Sequence, residues 1–462
     1  MLLLAIISCA ALVSYCDSFL LGDSCLAPAP CTCSGSGYSY AYIYCQGKSL
    51  NTTPTFLKAD RHVSKLTVYL HSNHLTTIPN YAFKNLSAVN ATNIDFYLDN
   101  NKISSIDRYA FNGVENVTKS LSMQNNNLTS IPAAVYNLPV LKELYIPGNP
   151  IKSLGVSTQS EMGNTLEVLN IDLKEFTSWP NELGFLRVLK SLTLYNINVQ
   201  HINSEAFRGF EKSLHTLDIE HVPYLDKIPN AICQLSNLQT LTLNYFAKLN
   251  ENTTSIFDHC NSKLNKVTSL NLRYNHLTKF PDVFHIFPAI TYLFLESNAL
   301  DIIESEKVPI TNVLSQIQLN SNEFKRIPYA LNRMKNLVYI YMESNHITSI
   351  EYHDLSALTK LQTLDLTNNP IKYISTNAFR NNPALRYLHL YGTNLQTIPA
   401  AVMYLQQLYN FDIRTAVPIS CTCEMSYLKN WNASSVRNFY GNCAYSGIKL
   451  QTFIMTSLQH CP

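Results

Sequence analysis

Pairs of apolar residues separated by a single residue recur along this chain at nearly constant intervals. In "TLDLTNNPI", Thr363 to Ile371, Leu364 and Leu366 are followed by asparagines at 368 and 369 and then by Ile371. The pattern returns as "ELYIPGNPI", "SLNLRYNHL", "YLFLESNAL", "QIQLNSNEF", "YIYMESNHI" and "YLHLYGTNL". The full unit reads L-x-x-L-x-L-x-x-N-x-L. It begins at Leu141, Leu166, Leu189, Leu214, Leu238, Val267, Ile290, Leu314, Leu337, Leu361, Leu385 and Leu408, at intervals of 25, 23, 25, 24, 29, 23, 24, 23, 24, 24 and 23 residues. Three looser copies, ending in "YLHSNHL", "YLDNNKI" and "SMQNNNL", precede these and bring the total to about fifteen units between residues 63 and 415.

An L-x-L segment predicts a short strand whose leucines face one way and whose intervening residue faces the other. No unit alone can bury its leucines, so units must stack, strands edge to edge, around one continuous core. Asparagine is costly to bury unless its hydrogen bonds are met. Its amide, donor and acceptor at once, suits the inward turns of its own and neighbouring coils, whose backbone groups need partners in a dry interior. These asparagines are therefore read as structural. The return of each unit carries "IP", as at Ile131-Pro132, Ile228-Pro229, Ile327-Pro328 and Ile398-Pro399, or "AF", as at Ala82-Phe83, Ala110-Phe111, Ala206-Phe207 and Ala378-Phe379, with the phenylalanines expected in the convex core. This spacing is the signature of leucine-rich repeats. The fold class expected is α/β: a leucine-rich-repeat solenoid, or horseshoe, with a parallel sheet on its concave side.

In mid-chain the asparagine is replaced by Lys174, Ile197, Val222 and Phe246, and the unit from Leu238 is the longest. Cys233 and Cys260 fall at similar places on the convex side of consecutive coils there. Neighbouring strands lie ~4.8 Å apart, within disulfide reach. A disulfide stapling the irregular region is expected, with two free thiols as the alternative.

Composition narrows the function. The 462 residues are 46% hydrophobic and 14% charged, and the formal charge is +2, from 34 basic and 32 acidic residues. These charges are scattered, without a basic stripe, so nucleic acid and anionic lipid are not expected partners. The opening "MLLLAIISCAALVSYC" is too short an apolar run to span a membrane, and a polar segment follows; residues 1–18 are read as a signal peptide. No later run of ~18 apolar residues occurs, so neither a transmembrane helix nor a membrane anchor is expected. Beyond the leader lie ten cysteines: Cys25, Cys31, Cys33 and Cys45 at one end, Cys421, Cys423, Cys443 and Cys461 at the other, and Cys233 and Cys260 between. An even count grouped at the ends of a secreted chain reads as disulfides. Histidines near the clusters lack a regular ligand spacing, so no metal is expected. Sequons at Asn51, Asn85, Asn90, Asn116, Asn127, Asn252 and Asn432 fit a secreted, extracellular glycoprotein.

A stacked solenoid exposes core at both ends and needs caps. "CLAPAPCTCSGSGYSYAYIYCQGKSLNTTPTFL" resembles the N-terminal cysteine cap of extracellular leucine-rich-repeat proteins, and "CTCEMSYLKNWNASSVRNFYGNCAYSGIKLQTFIMTSLQHC" resembles their C-terminal cap. The layout is that of Slit-like proteins and Toll-type ectodomains. The resemblance implies pairings Cys25–Cys33, Cys31–Cys45, Cys421–Cys443 and Cys423–Cys461, and a place for Trp431 in the cap core. The domain plan is then a signal peptide over 1–18, an N-terminal cap over 19–62, repeats over 63–415 and a C-terminal cap over 416–462.

No Gly-x-Ser-x-Gly, His-Glu-x-x-His, P-loop or dinucleotide fingerprint is present, and the thirteen histidines are scattered, so neither an enzyme nor a cofactor is expected. The concave sheet is the candidate surface. Its outward residues toward the C-terminus are read as Tyr274, Tyr292, Phe294, Tyr339, Tyr341, Tyr387, His389, Tyr391 and Tyr409, interleaved with Arg273, Glu296, Glu343, Asp365, Arg386, Asp412 and Arg414. Tyrosine and arginine are enriched at binding hot spots. Five sequons lie within residues 51 to 127, which favours the barer C-terminal half. The partner expected is a protein ligand or partner subunit. Two alternatives stand beside transient recognition: a self-associating matrix protein, hence a homo-oligomer, and a non-catalytic subunit of a secreted enzyme, similar in layout to the repeat-bearing chain that accompanies crustacean luciferase.

Overall fold

The computed structural model describes residues 25–36, 39–58, 62–154, 162–225, 227–249, 256–257 and 260–462. The expected leader, residues 1–18, and the sequon at Asn252 lie outside them. The chain forms two compact units, divided between Leu217 and Asp218.

In the first unit Thr32–Ser36 runs antiparallel to Tyr40–Tyr44, and parallel strands follow at Lys65–Tyr69, Asn93–Tyr97, Thr118–Ser122, Glu143–Tyr145, Val168–Asp172 and Ser191–Tyr195. The register slips once, between Ile94 and Asp95, where Lys119 is bulged. In the second unit the strand Thr240–Phe246 is followed in parallel by Ser269–Asn271, Tyr292–Phe294, Gln316–Gln318, Tyr339–Tyr341, Thr363–Asp365, Tyr387–His389, Asn410–Asp412 and Asn438–Tyr440. Leu270, Leu293, Ile317, Ile340, Leu364, Leu388, Phe411 and Phe439 stand opposite one another along it. The leucine and isoleucine members of that row are fully buried, each stabilising the fold by about 1.5–3 kcal/mol. Each unit is a leucine-rich-repeat solenoid with its parallel sheet on one face.

The returns are short, because a unit of about two dozen residues has little length left once strand and turns are made. They are built of 3-10 turns such as Asn230–Gln234 and Tyr329–Arg333, each entered through a proline that presets φ. The "AF" phenylalanines are interior: Phe83 packs on Phe96 at 4.4 Å and on Phe111 at 5.2 Å.

Asparagine amides tie the coils together. Asn369, fully buried, donates from Nδ2 to Leu366 O in its own coil at 3.0 Å and to Met342 O of the preceding coil at 2.8 Å, while its Oδ1 accepts from Ile347 N at 3.0 Å. Asn73, Asn126, Asn149, Asn322 and Asn345 repeat this arrangement. Where the amide is missing, Ile197, Val222 and Phe246 fill the site with buried apolar surface, whereas Lys174 turns out to solvent. The backbone of Phe246 then borrows the next coil's amide, donating to Asn275 Oδ1 at 2.9 Å. Cys233 and Cys260 are joined across this region, with Cα atoms 5.3 Å apart.

The ends are closed by disulfides Cys25–Cys33, Cys31–Cys45, Cys421–Cys443 and Cys423–Cys461. Trp431 is buried in the C-terminal cap, 6.1 Å from Phe411 and 5.8 Å from Phe439.

Asn369→Leu removes the amide and leaves several interior backbone groups without partners, each costing about 1–3 kcal/mol. A loss of about 3 kcal/mol is expected in urea denaturation; a loss under about 1 kcal/mol would show that the turns find other partners.

Candidate functional site

Strand alternation and register assemble three outward columns on the sheet of the second unit. The first runs Tyr292, Gln316, Tyr339, Thr363, Tyr387, Asn410, so a tyrosine stands on every second strand. The second runs Phe294, Gln318, Tyr341, Asp365, His389, Asp412. The third, two residues further along each chain, holds Arg273, Glu296, Glu343, Tyr391 and Arg414. Most of the sequence-predicted residues thus fall on one face, with three corrections among the wider set: Arg386 and Tyr409 lie one residue before their strands, outside the columns, and Tyr274 is not an outward strand residue. The strand ends before it, and Tyr274 occupies the turn at φ 56°.

Several of the charges are already committed. Arg273 pairs with Glu296 at 2.7 Å, donates to Gln318 Oε1 at 3.0 Å and lies over the Phe294 ring at 4.7 Å. Glu296 is only 8% exposed, so this pair offers a partner a preset arginine and no free carboxylate. Arg414 makes a second such device: Nε and Nη2 both donate to the buried Asp412, and the guanidinium sits between Tyr391 at 4.9 Å and Tyr440 at 5.3 Å. Tyr387 leans on Tyr409, whose ring lies under Arg437. Tyr339, Tyr341, Glu343 and His389 are half-buried, and Tyr387 and Tyr391 are exposed. Burial is the main cause that raises the Tyr341 pKa, with Tyr339 and Asp365 adding to it; the ring therefore presents a protonated hydroxyl.

Two features escaped the sequence reading. The residue just before the asparagine position adopts left-handed backbone in coil after coil: Ser72, Asn100, Asn125 and Gly148 in the first unit, Ser297, Ser321, Ser344, Asn368 and Gly392 in the second. A Cβ on Gly148 would stand 2.1 Å from Asn125 Oδ1. His221, Tyr245 and Tyr274 hold the same conformation at φ 60°, 58° and 56°, and their rings stack face to face at 4.4 Å and 4.4 Å. Left-handed backbone costs each about 1–2 kcal/mol, which two stacks of about 0.5–1.5 kcal/mol each offset in part. The run of Ser, Asn and Gly before each asparagine was the available signal.

The other feature is a tyrosine set on the first unit's sheet: Tyr42, Tyr44, Tyr69, Tyr97 and Tyr145. None of Asn51, Asn85, Asn90, Asn116 and Asn127 occupies an outward strand position there; Asn85 instead donates to Phe56 O at 2.8 Å. Among the described residues, no sequon stands at an outward strand position of either sheet. Asn432, in the C-terminal cap, is exposed.

A leucine-rich-repeat family model matches residues 95–151, 249–300, 312–371 and 359–414. Over 168 residues the chain is 28% identical to chaoptin of Drosophila melanogaster, covering 35% of this chain and 12% of chaoptin. A chain of the Toll–Spatzle complex of Drosophila superposes on 87% of this one at a TM-score of 0.60 and 17% identity, with 57% of its own length covered. A leucine-rich-repeat protein of Leptospira interrogans superposes on 74%, with 94% of its own length covered, at 0.52 and 20% identity. The chain is a leucine-rich-repeat protein with disulfide-bonded cysteine caps, the layout of the extracellular members of that class. It spans little more than half the matched Toll chain and a small part of chaoptin. Among the described residues no helix is long and apolar enough to cross a membrane.

Burial, with Glu143 close behind, pushes the Tyr145 pKa up to about 12; burial also raises Tyr69, Tyr97, Tyr136 and Tyr341. A folded value above the unfolded 10.0 means stability that is present below that pH and lost as pH rises toward 12. Tyrosinate absorbance is expected to show a late-ionising class whose last member disappears in Tyr145→Phe, and that variant should lose less stability between the two values.

Proposed function

We propose that this chain is a secreted, glycosylated binding protein, with the domain plan set out from its sequence, that recognises a protein partner through the outward columns of its second unit and performs no catalysis. The observation that carries this reading is the row Tyr292, Tyr339 and Tyr387 on alternate strands, flanked by Tyr341, His389, Tyr391 and two arginines already oriented by carboxylates and rings. Rigid tyrosines with little rotamer entropy and preset guanidinium groups are what a protein hot spot needs. The five disulfides support an oxidising, extracellular setting. Toll, one of the folds it resembles, is recorded in complex with Spatzle.

The test begins with the native secreted protein, its mass by light scattering and the identity of any co-eluting chain. Against that partner, Tyr339→Ala, Tyr341→Ala and Tyr387→Ala together are expected to weaken binding at least ~100-fold, as for hot-spot residues, with secretion intact. Unchanged affinity in the folded triple variant overturns the reading.

A further inference from the structure

Charge is unevenly distributed along this chain. From residue 366 to the end it carries seven lysines and arginines and only two acidic residues, Asp412 and Glu424. Asp412 is already bonded to Arg414. No acidic residue lies between Asp365 and Asp412. The C-terminal end of the second unit therefore carries a positive field that the overall charge of +2 conceals.

Within that field, the row just before the strands brings two guanidinium groups to one ring. Tyr387, Asn410 and Asn438 stand in register, so Arg386, Tyr409 and Arg437, each one residue earlier, form a row of their own. The backbone ties this row together: Tyr409 N donates to Arg386 O at 2.8 Å, and Asn438 N donates to Tyr409 O at 3.0 Å. Arg437 lies over the Tyr409 ring at 5.9 Å, and Tyr387 leans on the same ring at 6.0 Å. Arg386, Tyr387, Tyr409 and Arg437 are all exposed. Two strand spacings, about 9.6 Å, separate the two arginines along the row, with Tyr409 between them.

What these two arginines lack is a carboxylate. On the same sheet Arg273 has Glu296 at 2.7 Å, and Arg414 has Asp412. Arg386 and Arg437 form no ion pair among the described residues. We propose that Arg386 and Arg437 receive two carboxylates from an acidic segment of a protein partner, laid across Tyr409. This gives the chemistry of the partner for the surface proposed above, and it rests on that reading. Each guanidinium presents a planar fork that matches one carboxylate, and the rings of Tyr409 and Tyr387 meet the apolar stems of the segment. An extended segment sets alternate side chains about 6.6 Å apart, and the long arginine side chains close the remaining gap. The other basic residues of this region are spread over returns, strand ends and cap without forming a stripe. A short acidic segment suits that layout better than a long polyanion, whose affinity grows with the number of charges it neutralises.

The probe is a labelled hexa-aspartate peptide, compared with hexa-lysine, followed by fluorescence anisotropy on the intact secreted chain. Hexa-aspartate is expected to bind at least about tenfold more tightly, and to lose at least about threefold in affinity when salt rises from about 0.05 to about 0.5 M. Arg386→Gln and Arg437→Gln together should weaken it at least about tenfold. Lys372→Gln and Arg380→Gln, which remove the same charge from the return before Tyr387, should weaken it less than about twofold. Failure of hexa-aspartate to bind, or equal losses in the two double variants, overturns the proposal. So does tighter binding of a heparin hexasaccharide that is lost in the Arg386 and Arg437 variant, which assigns the row to a sulfated glycan. The two readings fail separately. If hexa-aspartate is inert while the triple tyrosine variant still loses the native partner, only the acidic segment is refuted; if the row binds hexa-aspartate while the triple variant keeps its partner, only the columns are.

Discussion

Asn369 spans two coils with a single side chain, and most of this molecule follows from that contact. The turn after each strand carries backbone N–H and C=O groups into an interior without water, where an unmet group is expensive. An amide supplies donor and acceptor together, so one residue satisfies its own turn and its neighbour's. With the turns closed, the leucines of successive coils meet, and the outward residues fall into straight columns because their strands share one register. The surface columns are thus a by-product of how the interior is sealed.

The coils from Leu166 to Leu238 reach the same end by other means. Val222 and Phe246 give up the amide and gain buried apolar area, the neighbouring Asn275 lends its oxygen to the Phe246 backbone, and three rings stack along the rim. Aromatic faces do there the coil-to-coil work that hydrogen bonds do elsewhere. The interaction is less directional, which fits the longer and less regular units in this stretch.

The period and the inward leucines were legible in the sequence because both are local: direction alternates along a strand whatever lies beside it. The roles of Asn369 and Phe83 followed, since a buried amide and a buried ring have few other uses. Contacts between coils were not legible. Alternation says that Arg414 faces outward but not that Tyr391 and Tyr440 close on it, and it does not reveal that Glu296 is buried by Arg273. Tyr274 was misplaced because it stands just before Asn275, at the left-handed position of the turn, one residue beyond the outward column that holds Arg273. The tyrosines of the first unit were passed over because Tyr42 and Tyr44 lie in a segment read as cap, although Tyr40–Tyr44 is a strand paired directly with the first repeat.

The bridge between Cys233 and Cys260 also bears on how the protein responds to force. A solenoid pulled from its ends peels one coil at a time, each released length adding to the extension. The covalent link withholds the 27 residues of sequence separation between its ends, so the chain is shorter at full stretch, by about 9 nm, than one in which this bridge alone is reduced. Tension passes through the bridge and not through the residues it encloses, so the coil around Phe246, which lacks its own amide, is shielded from the pull.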